Sequence, residues 1–317
     1  MIAAIASLAA LTGSLAALPL APAFLEMFLG RDTGPVPVKN RTESVAEFAN
    51  DFRALFEEGS AAARQASSRV TALELDQDAV LEEGMFFADY IYAREQLVTR
   101  GSSVLSAVLG EKDILLGENT KVLCWIHAQG TVTVGARSVM YGRLSAGNEV
   151  QLGPGCSFER VHAPAVTIVG GAPAIALDPA STEEASILER VLDRLRVRQD
   201  FILREREYLR SNVVAGGQIY LSQGSHVTGS LKSNRAMELE PHVRIDGSLV
   251  SASTLRIGGG CLVLGPVLAE GELTIESGTQ VGTPQRPTTV RAPRIRIAPG
   301  VTIHGSLWAH EHGQVSG

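Results

Sequence analysis

The chain returns to one pattern every eighteen residues, and nothing else in it restricts the fold as strongly. Segments beginning at Ala236, Thr254 and Glu272 carry apolar residues at their second and fourth positions: Met237 and Leu239, Leu255 and Ile257, Leu273 and Ile275. The register extends back to Ile219 and Leu221 and to Phe201 and Leu203. The tenth position is apolar again (Leu209, Val227, Ile245, Val263, Val281) and the twelfth is mostly small (Ser211, Gly229, Gly247, Gly265). The fourteenth is Val213, Leu231, Leu249 or Val267, and the sixteenth is Ala215, Ser233, Ser251 or Ala269. The pattern recurs upstream from Asp113, Thr131 and Glu149. Downstream, the unit from Glu272 to Pro293 is four residues longer, around "TPQRP", before the register resumes at Arg294. A fixed period of this kind marks a repeat architecture.

Apolar residues two apart follow the alternation of a half-buried strand, not the period of a helix. The seventh position is often Gly (Gly224, Gly278, Gly300) or Asn119, residues that tolerate the positive φ of a tight turn. Short strands joined by such turns, repeated in register, predict an all-β solenoid whose coils stack about 4.8 Å apart. The second, fourth, tenth and fourteenth columns fill its interior, and the small residues of the twelfth and sixteenth fit its corners. Composition agrees: 45% of residues are hydrophobic but only 5% aromatic, as a narrow interior requires.

A net charge of -6 and a pI near 5.7 argue against a nucleic-acid partner, which needs a basic surface. Cys124, Cys156 and Cys261 are odd in number and lack metal-ligand spacing, so they read as buried free thiols of a reducing compartment. The sequence shows no nucleophile elbow, P-loop or zinc spacing, and no catalytic residue, cofactor or metal is assigned. Among the histidines, His127, His226, His242 and His304 fall at outward or turn positions. His162 falls on the fourteenth column as a core residue. His310 and His312 flank Glu311 at the last coil.

Residues 1–29 carry one charge, Glu26, and are long enough to span a bilayer, which needs about 20 apolar residues. A signal peptide with "APA" at its cleavage site is the competing reading, but the positively charged n-region is missing. Arg31, Lys39 and Arg41 follow the span and place the solenoid in the cytoplasm. Residues 30–69 then read as a linker and an amphipathic helix, opened by the capping box of Ser44 and Glu47. Its face of Phe48, Phe52 and Phe56 is expected to cap the first coil. The solenoid is expected over 70–312, with degenerate coils at 70–112, regular coils at 113–169 and 200–311, a loop inserted at 170–199, and a tail at 313–317.

Units such as "MELEPHVRIDGSLVSAS" and "IRIAPGVTIHGSLWAHE" resemble the bactofilins, bacterial polymer-forming cytoskeletal proteins, over roughly 113–311. The resemblance implies a right-handed β-helix and a non-enzymatic scaffold at the cytoplasmic face of the bacterial inner membrane. That scaffold would assemble with itself or with another bactofilin-like solenoid, serve a membrane or envelope complex, and bind no nucleic acid. The spanning anchor, the helix behind it and the break at 170–199 depart from the family pattern. An envelope polysaccharide-binding or assembly solenoid is the alternative. A left-handed β-helix acyltransferase is a weaker one, because its six-residue rule is broken here.

A stack of coils ends in unpaired backbone groups, which recruit another strand unless covered. Only the short polar "EHGQVSG" follows the last apolar positions. Ile303, Leu307 and Trp308 are therefore expected to form a free edge for self-association.

Overall fold

The computed structural model describes residues 72–170 and 194–317. The expected anchor, the linker, the helix with Phe48, Phe52 and Phe56, and most of the inserted loop lie outside these residues. Every regular element described is a β-strand, from Ala72–Leu75 to Thr302–Val315, in one continuous ladder. Together they make an all-β, right-handed-type solenoid of about 12 coils, about 18 residues apart.

The coils form two stacks. In the first, residues 72–170, Ala72 pairs with Tyr90, Lys121 with Val139, and Val132 with Val150, all parallel. In the second, Phe201, Ile219, Met237, Leu255 and Leu273 pair in succession at intervals of eighteen. The second stack opens at strand Arg194–Val197, whose Leu195 pairs with Val213, so its first coil reaches into the last residues of the segment expected as loop. The lengthened unit keeps its place: Leu273 pairs with Ile295 across the insertion, and the extra residues close on themselves through Thr283 and Arg286, whose backbones exchange hydrogen bonds of 3.1 and 3.0 Å.

The columns read from the sequence are buried as rows through the interior: Met237, Leu239, Ile245, Leu249 and Ser251 are each at most 1% exposed. Their alternation explains why these segments are strands, since each apolar residue meets its equivalent on the next coil while the residues between face out. The seventh position holds the turn in the left-handed region, at φ 69° for Gly224 and 67° for Gly260, and also at Asn119, Arg206 and His242 (56°, 55° and 62°). An eighth column, without an apolar signature, is equally buried: Thr120, Ser138 and Cys156 in the first stack, Ser225, Val243, Cys261, Thr279 and Val301 in the second. Its polar members bond to the coil turns, except Ser225, whose buried Oγ meets no partner among the described residues. Thr279 Oγ1 donates to the Gly258 carbonyl at 2.8 Å, and Cys261 Sγ to the Glu240 carbonyl at 3.2 Å.

The small twelfth column has a steric cause. A Cβ on Gly247 would stand 2.4 Å from the carbonyl oxygen of Gly229, and one on Gly265 equally close to that of Gly247. Backbone cannot yield as a side-chain tip can. Gly247→Val is therefore expected to destabilise the protein at or above the roughly 1–3 kcal/mol of ordinary overpacking. Val250→Thr, on an outward position of the same coil, should stay within about 0.5 kcal/mol. Thermal melts of the two variants check this, and equal midpoints would refute the packing explanation.

Candidate functional site

Strand Ser157–Ile168 closes the first stack and strand Thr302–Val315 closes the second, and the two pair antiparallel. All strand pairings within the stacks are parallel, so the stacks wind toward each other and meet end to end. Arg160 lies opposite Trp308, Val161 opposite Leu307, His162 opposite Ser306 and Val166 opposite Ile303. The backbone joins throughout: Ile168 N–H donates to Val301 O at 3.0 Å, Gly300 N–H to Ile168 O at 2.9 Å, and Val315 N–H to Cys156 O at 2.8 Å.

This corrects the expectation of a free edge at Ile303, Leu307 and Trp308. Ile303 and Leu307 are fully buried, and the strand that covers them belongs to the same chain. The segment expected as a polar tail is part of the same contact. It remains strand to Val315, with Gly313 and Val315 buried, and Gly313 leaves room for the ring of Phe158, which a Cβ would meet at 2.2 Å.

The histidines are placed accordingly. A register shift between Phe158 and Arg160 puts Val161, not His162, on the fourteenth column beside Leu144. His162 faces outward, half-buried, with Nδ1 2.8 Å from Ser306 Oγ across the junction. Burial, and then the nearby Arg143, holds its imidazole below the usual range. His304 is buried at the junction, where Nδ1 donates to the Pro164 carbonyl at 3.0 Å. His127 Nδ1 meets Ser145 Oγ at 2.8 Å, so histidine and serine alternate along one row across four strands. His310 receives a hydrogen bond from Arg291 Nε, and Glu311 pairs with Arg294 at 3.1 Å. Of the cysteines, Cys156 and Cys261 are buried, and burial pushes the Cys261 thiol up to about 12. Cys124, expected inside, is exposed.

One outward row runs across the junction and had no signature in the repeat. Register places Trp125 beside Arg143, Arg143 beside Arg160, Arg160 beside Trp308, and Trp308 beside Arg291. The guanidinium carbons of Arg160 and Arg291 each lie 4.5 Å from the Trp308 ring centre, so the indole is held between two cations. Cys124, Trp125, Gly142, Arg143, Glu159 and Arg160 line a groove of about 380 Å³ along this row. Its one sequence signal was the position of the two tryptophans, both outward in a chain with few aromatics.

Because the stacks meet end to end, both outer ends are first coils. At one, Ala72–Leu75 and Ala79–Leu81 each pair on a single side among the described residues, and Val80 and Phe86 are 52% and 67% exposed. At the other, Arg194–Val197 and Phe201–Leu203 do the same, with Ile202 64% exposed. Comparison with protein-family models, with curated proteins and with solved structures finds no match to this chain.

Proposed function

We propose that this chain is a non-enzymatic, bactofilin-like scaffold, anchored by residues 1–29 at the cytoplasmic face of a bacterial inner membrane, that associates with further copies through the outer ends of its two stacks. The observation that carries this reading is the pair of first coils, each with strand edges paired on one side only among the described residues and with exposed apolar side chains at Val80 and Phe86 or at Ile202. Such an edge is a template for another strand. The junction within the chain supports the same reading, since it is an end-to-end contact between two solenoids of this repeat.

Blocking the ends separately tests it. In detergent, the full chain is expected to form assemblies that grow with concentration. Val80→Lys with Phe86→Glu blocks one end, Ile202→Glu the other. If like ends pair, either variant should stop at dimers and the combination should be monomeric. A wild-type chain that stays monomeric, or variants that assemble as it does, would sink the proposal. A reporter fused after Gly317 that is inactive in the cytoplasm would reject the placement.

A further inference from the structure

We infer that the outward row across the junction, with the groove at its first-stack end, binds linear acidic oligosaccharides, taking the carboxylates of uronate units on Arg160 and Arg291. The row behind this inference steps from strand to strand at about 4.8 Å. Trp125, Arg143, Arg160, Trp308 and Arg291 occupy five successive strands of it. A pyranose ring spans close to one such step, so an extended oligosaccharide lying along the solenoid axis presents about one sugar to each coil.

The charge of Arg160 and Arg291 stands out locally. The chain as a whole is acidic, at -6. Two neighbouring arginines of the second stack, by contrast, are matched: Arg294 meets Glu311 at 3.1 Å and Arg296 meets Glu272 at 3.3 Å. Neither Arg160 nor Arg291 has a carboxylate within ion-pair distance among the described residues. Both stack on the indole of Trp308, and Arg291 also donates its Nε–H to His310, which leaves its terminal N–H groups for a ligand. Stacking fixes the plane of a guanidinium and leaves N–H donors at its edge, the geometry that takes a carboxylate through two parallel hydrogen bonds. The indole of Trp125 lines the groove beside Arg143 and Arg160, with the Tyr90 ring edge-on to it at 5.9 Å. The adjacent row, with half-buried His127, His162 and Ser306, supplies polar groups for hydroxyls.

Two other polyanions fit less well. Single-stranded nucleic acid needs open aromatic faces for its bases, and both faces of Trp308 carry a guanidinium. An anionic lipid surface calls for a cluster of roughly 4–8 cations, more than this row holds. The inference goes beyond the scaffold proposal and does not depend on it, because the outer coils and the groove are read by separate experiments.

The chain's two tryptophans both lie on this row, so its tryptophan emission reports on the row. Full-length protein in detergent is titrated with hexagalacturonate, with maltohexaose as the neutral control and oligothymidylate as the competing polyanion. A saturable emission change with hexagalacturonate is expected, absent with maltohexaose. Arg160→Gln and Arg291→Gln should each weaken it at least tenfold at an unchanged melting midpoint. Arg160→Lys, which keeps the charge without the fork, should fall between, and Arg256→Gln, on another face of the coils, should bind as wild type. No saturable change, an equal response to maltohexaose, tighter binding of oligothymidylate, or full binding by the Arg160→Gln, Arg291→Gln double variant would each overturn the inference. If a glutamine variant fails to fold, the comparison of Arg160→Lys with wild type decides.

Discussion

Ile257→Asp is expected to cost about 4 kcal/mol or more, enough to melt the second stack locally, while Arg256→Gln one residue away costs less than about 1 kcal/mol. Ile257 is fully buried on the fourth column, between Leu239 and Ile275 of the flanking coils. A carboxylate there has no donor to meet. Arg256 points outward to Glu238 at 3.0 Å and Glu276 at 3.5 Å, and both partners are well exposed, so solvent screens most of what those pairs contribute. Because a repeat protein holds each coil through its neighbours, damage at Ile257 should appear as faster hydrogen exchange from Leu239 to Ile275 before the first stack responds.

The variant also carries a pH signature. A buried aspartate with no partner has its folded pKa raised above its unfolded value near 3.9, so the folded state binds more protons than the unfolded one. Stability of Ile257→Asp should therefore rise relative to wild type as pH falls from 7 toward 5, and the deficit should be largest where the unfolded carboxylate is ionised. Melts at several pH values read this directly. Equal melting of the two variants, or a deficit that grows on acidification, would show that the register is misassigned.

How far the sequence carries depends on which physical rule wrote each column. The second, fourth, tenth and fourteenth columns are legible because apolar burial and strand alternation act together on residues such as Leu255 and Ile257. The glycines of the twelfth column are legible as a pattern, but their cause, the Gly229 carbonyl beneath Gly247, belongs to the three-dimensional stack. The eighth column escapes notice because a buried position beside a turn carbonyl accepts a bonding Thr or Cys and an apolar Val alike, leaving no hydropathy signal. His162 is misread for a narrower reason: one residue of bulge beside Phe158 moves every later side chain of that strand to the opposite face. The reversal of the second stack leaves no trace at all. A coil repeats the same pattern whichever neighbour it will meet, so the sequence marks Ile303 and Leu307 as an end without saying that Val166 and Val161 cover them. The groove row shows only through its two outward tryptophans, because outward positions are free to vary.

Ile303→Lys is expected to open the junction and to raise self-association, the reverse of what a free edge would give. Ile303 is fully buried between Val166 of the first stack and Val281 of its own, and an ammonium placed there finds no carboxylate in register. Its desolvation opposes the pairing of Ser157–Ile168 with Thr302–Val315, while the parallel coils behind each strand keep their own contacts. Two edges that saturate each other within one chain are thereby released, and each can pair with the corresponding edge of a second copy. The soluble mass should increase with concentration, and amides of both junction strands should exchange faster than those at Leu239 or Leu255. Val161→Asp, from the facing strand, should behave alike. Trp308→Lys should not, because that side chain lies outside the interior between Arg160 and Arg291, and its loss removes a cation–π contact without charging the core. An Ile303→Lys protein of unchanged mass and unchanged exchange would mean that the two stacks are held together by something other than this strand pair.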